Sequence, residues 1–379
     1  MKVIILGAGL IGAPMAIDLA KDGEFEVGVA DIDKLSLDKL KNENIKLIQK
    51  DLSVQENVYD IIKDYDYVIN AVPGSLGFKT LLSIIESEKN VVDIAFYKND
   101  PFELDQLAKK KNVTAIVDCG VSPGLHNILI GSVAQRLDSI KDITIYVGGL
   151  PQIKKLPFEY KAVFSPSDVI EEYIRPARIK VNGEIVVKPP LSDLEIIDFP
   201  KVGSLEAFNS DGLRTLLHTI DVPNMKEKTL RYPGHIDKIS LLSEIGLFNK
   251  NEISINGKNI KPIDMAIKLL RDEWELKEGE KDFTLLQVVI TGRKENKNYK
   301  YIYDLLDHYD DSTNTISMAR TTGYTATSAL RLLASGLYNE VGISPPEFIG
   351  RIPKCADFIL AELGKRNVIV EETINEIVS

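Results

Sequence analysis

The sequence is poor in the residues that staple or metallate small folds. Two cysteines, Cys119 and Cys355, stand among 379 residues. That excludes a disulfide framework and a cysteine-rich zinc site, and it points to a reducing compartment. Histidine is scarce as well, with four in the chain: His126, His218, His235 and His308. No two stand at an H-x-x-x-H spacing, so no metal is expected. Positive charge is short, with Lys+Arg 46 against Asp+Glu 56 and a formal net charge of −10. A surface of that sign argues against general nucleic-acid or anionic-membrane binding. No apolar run reaches about 18 residues, so no membrane span is expected. The opening MKVIILGAGLIG carries glycines instead of a charged cluster ahead of an apolar stretch. We therefore expect no signal peptide and a cytoplasmic location. What remains is ordinary: 44% hydrophobic and 27% charged residues describe a folded chain and exclude a disordered one. The length suits two domains.

Over the first third, short apolar runs alternate with helical spacing. Strands are expected at 2–6, 26–30, 45–49, 67–71, 91–94 and 113–117. Helices are expected at 11–21, 35–42, 57–64, 78–87 and 101–111, the last capped by Asp100. This rhythm implies an α/β fold with a doubly wound parallel sheet. Beyond Pro123-Gly124 the pattern changes. Strands are expected at 143–147, 178–181, 184–187, 194–197, 284–291 and 299–305, with Asn182-Gly183 as a hairpin turn. Helices are expected at 125–137, 211–219, 235–244, 262–273 and 319–338. We read a mixed-sheet α+β domain inserted at 125–318. Residues 1–124 and 319–379 then form the dinucleotide-binding (Rossmann) domain, with the C-terminal segment returning to complete it.

The strongest motif is Gly7-Ala8-Gly9-Leu10-Ile11-Gly12, a G-x-G-x-x-G after a strand and opening a helix. Gly7 permits the tight turn, Gly9 lets a pyrophosphate approach the backbone, and Gly12 lets helix pack on strand. Leu10 and Ile11 complete the loop, and the helix start attracts phosphate. Asp31 ends the second strand, where a carboxylate holds a ribose 2′-hydroxyl and repels a 2′-phosphate. No arginine follows it, so NAD is expected over NADP. Asp33 is a neighbouring alternative. Asp51 either reaches the adenine edge or is a simple turn residue. Ala71, Val72 and Pro73 follow the fourth strand and border the cofactor crevice.

The segment Asp118-Cys119-Gly120-Val121-Ser122-Pro123-Gly124-Leu125-His126-Asn127 follows the sixth strand, where small-molecule sites form. With GAGLIG, with GGLP at 148–151 and with TLRYPGH at 229–235, it resembles the saccharopine dehydrogenase family from end to end. Within that family the chain is most similar to the lysine 6-dehydrogenase branch. The resemblance implies a Rossmann domain completed by the C-terminal segment, an inserted domain carrying much of the substrate site and the dimer contact, and a homodimer. It implies NAD-linked oxidation at a carbon bearing nitrogen. One departure matters. Saccharopine-forming enzymes carry acids in a D-P-G-x-D-H pattern, whereas this chain reads S-P-G-L-H-N.

Candidate site residues follow. His126 is the best placed of the four histidines and is assigned to proton transfer. His235 ranks second, His218 suits a core and His308 a solvated surface. Asp118 is assigned to substrate positioning, as is Tyr97, whose place resembles that of a family tyrosine near the substrate. Ser122 belongs to the same loop. Cys119 receives no covalent role. Arg231, within TLRYPGH, is expected to clamp a substrate carboxylate through its planar fork, with Arg214 as the next candidate. Asp211 either pairs with a substrate ammonium or caps its own helix. The expected reaction is oxidative deamination of L-lysine at the ε-carbon. The alternatives are a saccharopine- or carboxynorspermidine-type dehydrogenase acting on a secondary amine, and an NAD-binding sensor without turnover.

Overall fold

The computed structural model describes residues 1–164, 166–277 and 279–377. Along the chain run β1 (Lys2–Leu6), α1 (Gly12–Lys21), β2 (Glu26–Asp31), α2 (Lys34–Asp38), β3 (Ile45–Gln49), α3 (Gln55–Ile62), β4 (Tyr67–Asn70), α4 (Gly74–Glu86), β5 (Asn90–Asp93), α5 (Asp105–Lys110), β6 (Thr114–Ile116) and α6 (Leu125–Ala134). Next come β7 (Ser139–Pro151), α7 (Pro166–Ile174), β8 (Ala177–Val181), β9 (Glu184–Lys188), β10 (Glu195–Phe199), β11 (Gly203–Asn209), α8 (Leu216–Thr219), β12 (Asn224–Arg231), α9 (His235–Glu244), β13 (Ile253–Ile255), β14 (Lys258–Ile260), α10 (Pro262–Trp274), β15 (Asp282–Lys294) and β16 (Lys297–His308). The chain closes with α11 (Ser317–Ala334), β17 (Gly342–Ser344), α12 (Pro346–Gly350), α13 (Pro353–Lys365) and β18 (Glu371–Ile377).

These elements form two compact units. Unit 1 comprises Met1–Asp138, His218–Ile220 and Met318–Glu371. Its sheet is parallel throughout, in the order β17-β6-β5-β4-β1-β2-β3. Strand β1 lies at its heart, with Val3, Ile4, Ile5 and Leu6 fully buried. Burying each such side chain contributes about 1.5–3 kcal/mol. A strand covered on both faces must read as an unbroken apolar run, as VIIL does. The chain order reverses at β1, which has β2 on one side and β4 on the other. The loops leaving the carboxyl ends of these strands flank the crevice where such sheets take ligands.

Unit 2 comprises Ser139–Leu217, Asp221–Ser317 and the last strand from Glu372. Its main sheet runs β10-β11-β12-β7-β15-β16-β18, with β8 beside β12 and β9 beside β8. Strands β7 and β12 pair parallel, while β15 pairs antiparallel with both β7 and β16. An aromatic core of Tyr160, Tyr173, Phe208 and Trp274 is buried within this unit. The boundaries differ from the expected ones: α6 and the short segment His218–Ile220 belong to unit 1, and β18 from Glu372 to unit 2. Among the described residues no helix is long and apolar enough to cross a membrane. No group of three or more His, Cys, Asp or Glu among them gathers to hold a metal ion.

Candidate active site

The loop after β1 is built by three glycines with different duties. Gly7 turns at φ +115°, and a Cβ there would meet the Ala71 carbonyl oxygen at 2.5 Å. At Gly12 a Cβ would lie 2.0 Å from the Gly7 carbonyl oxygen, so α1 seats on the loop only without a side chain. Gly9 is the opposite case. Its Cβ position is open space, with nothing within 4 Å. Helix α1 begins with no side-chain cap and no acid in its first turn. Its orphan amides therefore remain available to an anion. Leu10 is half exposed and Ile11 is the N-cap.

Asp31 stands against this loop. Its Oδ2 accepts the Ala8 amide at 2.6 Å and its Oδ1 accepts the Asp33 amide at 2.8 Å. A carboxylate offers about four acceptor directions, so both oxygens keep capacity for a ribose. The two other acids near the crevice have local duties. Asp33 caps α2, accepting from the Leu35 and Ser36 amides and the Ser36 hydroxyl, and the Ser36 hydroxyl leads in lowering its pKa. Asp51 accepts from the Ser53 hydroxyl and amide, the turn reading of that residue. After β4, Ala71 and buried Val72 lead to Pro73, which caps α4. Gly74 lets the next loop press close, since a Cβ there would sit 2.2 Å from the Phe96 carbonyl oxygen.

At the ends of β5 and β6 lies a buried polar group that sequence reading found only in part. Tyr97 is 3% exposed, with its ring edge-on to Phe78 at 5.5 Å. Asp118 is buried with a left-handed φ of 52°. Next to them is Asp93, absent from the sequence candidates and fully buried. Burial raises its pKa to about 8, opposed by the Ala95 amide and reinforced by the Asp118 charge. A lone Asp at a strand end reads as a turn residue. Its only visible signal was the matching Asn70 at the end of the neighbouring strand. Cys119 is a buried thiol whose pKa burial pushes up, so it is no nucleophile at neutral pH.

His126 opens α6 with its Nδ1 paired to the Ser122 hydroxyl at 2.7 Å. It is fully buried, and its Nε2 has no partner. Burial pushes its pKa down to about 3, so the imidazole is neutral at pH 7. A neutral imidazole offers one acceptor nitrogen and one N–H, and burial makes it a weak base. The helix is capped instead by Asn127, which accepts the Gly124 amide and donates to buried Glu347 at 2.9 Å.

Within unit 2 the residues expected at the substrate are engaged in the fold. Arg231 is 2% exposed. Its Nε donates to the Tyr173 hydroxyl at 2.8 Å, Nη1 to the Leu230 carbonyl at 2.9 Å and Nη2 to Glu172 at 2.7 Å. The guanidinium also lies 4.5 Å from the Tyr160 ring centre. A cation buried this deeply must have its donors paired, and the carboxylate it clamps is Glu172 rather than a substrate's. His235 extends the network, with Nε2 to Tyr173 at 3.0 Å and Nδ1 to the Phe158 carbonyl at 3.0 Å. Asp211 neither caps a helix nor stands open to an ammonium. It holds Arg178 through two bonds of 2.8 and 2.9 Å and accepts the Arg178 amide as well. Arg214 is buried and takes a left-handed φ of 48° just ahead of α8.

Comparison with known proteins agrees with this architecture. The saccharopine dehydrogenase NADP binding domain matches residues 3–116, and the saccharopine dehydrogenase C-terminal domain matches residues 120–369. The chain belongs to the saccharopine dehydrogenase family. It is 25% identical to the mitochondrial alpha-aminoadipic semialdehyde synthase of Bos taurus over 268 residues, covering 66% of this chain and 29% of that protein. The chain thus spans under a third of the length of that relative. It is 22% identical to carboxynorspermidine synthase of Vibrio cholerae, with 93% of this chain and 95% of that protein covered. The apo structure of saccharopine dehydrogenase (L-Glu forming) from Saccharomyces cerevisiae superposes with a TM-score of 0.81 at 19% identity, covering 99% of both chains. At that identity the likeness establishes the fold.

Proposed function

We propose that this chain is a nicotinamide-dependent oxidoreductase acting at a carbon that bears nitrogen in a lysine-related substrate. One observation carries the reading. The open Cβ position of Gly9, with Asp31 gripping the neighbouring Ala8 amide, heads a chain that saccharopine dehydrogenase domains match at 3–116 and 120–369. The residues fit a dinucleotide: an open cradle, an uncapped helix start and a carboxylate facing the loop. When bound, the nicotinamide accepts the hydride. The loop backbone from Gly7 to Gly12 and the start of α1 hold the pyrophosphate. Asp31 holds the ribose hydroxyls and repels a 2′-phosphate, which supports NAD over NADP. Asp118 and Tyr97 position the amine.

Our first reading of the substrate is L-lysine, oxidised at the ε-carbon to the semialdehyde with release of ammonia. It is supported by Ser122 and His126, uncharged where saccharopine-forming enzymes carry acids. A second reading, a secondary amine cleaved or formed with a keto acid or aldehyde, is favoured by the near full-length alignment with carboxynorspermidine synthase. A homodimer is part of the proposal, checked by light scattering on the eluting protein. The test of function is a panel of L-lysine, cadaverine and saccharopine with NAD and NADP, following reduced cofactor and ammonia together. Lysine with NAD is expected to yield both in equal amounts. Reduced cofactor from saccharopine without ammonia would turn the reading to the secondary amine. No reduction with any amine would remove the enzymatic reading.

A further inference from the structure

The ends of β4 and β5 place two buried acceptors side by side. Asn70 and Asp93 are register partners on adjacent parallel strands, and both are fully buried. Register partners project from the same sheet face. Asp93 is tied on two sides: its Oδ1 accepts the Ala95 amide at 2.8 Å, and its carbonyl accepts the Cys119 amide at 2.9 Å. The Asn70 amide group donates to the Gly77 carbonyl at 3.2 Å, which fixes its Oδ1 as an acceptor. Two buried oxygens are left over, Asp93 Oδ2 and Asn70 Oδ1, with the Asn70 and Tyr97 side chains beside the Asp93 carboxyl. Buried acceptors without a donor are costly, and a charged one more so. One proton on Asp93 supplies a donor for the Asn70 oxygen.

We propose that Asp93 is a proton-carrying positioning residue, whose neutral carboxyl bonds to Asn70 and ties down the two loops that bear Tyr97 and Asp118. The electrostatics agree. Burial raises the Asp93 pKa to about 8 and the Asp118 charge adds to the rise, against the pull of the Ala95 amide and of the Asn70 and Tyr97 side chains. The titratable groups facing it are Asp118, Tyr97 and Cys119. Below about pH 8 Asp93 is therefore neutral, and Asp118 stands without a second carboxylate charge beside it. Ionising Asp93 adds that charge, leaves the Asn70 oxygen without its donor and loosens the tie. The competence of the site then falls.

Asp93→Asn imitates the neutral acid, with an oxygen for the Ala95 amide and an N–H for Asn70. Two readouts test the proposal. The first rests on the amine-oxidation reading. A free ε-amine has a pKa of ~10.4, so kcat/KM for lysine should rise about tenfold per pH unit as neutral amine accumulates. Wild type is expected to flatten above about pH 8 while Asp93→Asn keeps rising, whatever the absolute height of either profile. The second readout is thermal stability and needs no activity. An unfolded Asp ionises near ~3.9, so between that pH and about 8 the folded wild type holds a proton that the unfolded chain has lost. Wild type must therefore lose stability relative to Asp93→Asn as pH rises from about 4 to about 8, and the gap must then level. A Tm difference that stays constant from pH 5 to 8 would overturn the proposal, as would a wild-type profile that climbs in step with the variant beyond pH 8. If wild type oxidises no amine, the functional reading fails by itself, and the Tm series alone decides whether Asp93 carries its proton.

Discussion

The two units treat their conspicuous polar residues in opposite ways. In unit 1 the loops at the strand ends keep capacity unused: open space beside Gly9, an uncapped α1 and no partner at His126 Nε2. In unit 2 the polar residues that stand out in the sequence are absorbed by the fold. Arg231 is paired with Glu172 and Tyr173, Asp211 with Arg178, and His235 with Tyr173 and Phe158. Residue type alone does not distinguish a ligand-facing group from a structural one. What distinguishes them is whether donors and acceptors are already satisfied within the unit.

Arg231 offers the hardest test of that contrast. Removing one partner of a buried ion pair costs about 3–5 kcal/mol. Arg231→Ala should lower stability by that order, measured by urea denaturation. In any variant that still folds, lysine and cadaverine should lose activity by the same factor. A loss confined to lysine would restore Arg231 as the carboxylate clamp. Glu172→Gln, which keeps a hydrogen bond but not the charge, should fall between wild type and Arg231→Ala.

The buried histidines of both units give the next largest effect. Burial leads in pushing His126 and His235 down to about 3. An unfolded histidine binds its proton near pH ~6.5. Between these values the unfolded chain binds protons that the folded chain does not, so stability falls as pH drops. The slope is about 1.4 kcal/mol per pH unit for each histidine. Acid titration of Tm should show the fall beginning near pH 6, and replacing either histidine by Gln should shallow it. The same argument predicts no inflection near pH 6.5 from His126 in the kcat/KM profile.

Asp31 and Asp33 sharpen the comparison within unit 1. Asp31→Ala should weaken NAD binding by about 1–3 kcal/mol, the scale of a lost hydrogen bond to a charged group, and should narrow the lead of NAD over NADP. Asp33→Ala should cost a small fall in Tm through the lost cap, with the NAD to NADP ratio unchanged. Equal ratios for wild type and Asp31→Ala would shift the selection elsewhere.

Legibility in the sequence follows the same divide. Unit 1 was readable because its strands are local apolar runs and its loops are punctuated by Gly and Pro. Strand β12 escaped, since NMKEKTLR looks like a solvated stretch. In the fold Glu227 and Lys228 are buried but paired: Glu227 takes the Ser210 hydroxyl at 3.0 Å, and Lys228 meets Glu195 at 2.8 Å. Such pairing is made across strands and leaves no local period. The helix expected over 211–219 shrinks to Leu216–Thr219 because Arg214 adopts a left-handed φ ahead of it. The glycine loop and the position of Asp31 beside it were legible from spacing alone. Asp93 was not, because its significance arises from its register with Asn70.

The most direct test is calorimetric titration of wild type and Gly9→Glu with NAD and with NADP. Because a Cβ at Gly9 meets nothing within 4 Å, the variant should keep its thermal midpoint while its side chain fills the phosphate cradle. The expected result is NAD binding to wild type at least about tenfold tighter than NADP, or ~1.4 kcal/mol, with both lost in Gly9→Glu. NAD bound equally well by the two proteins, or NADP bound more tightly by wild type, would contradict the account.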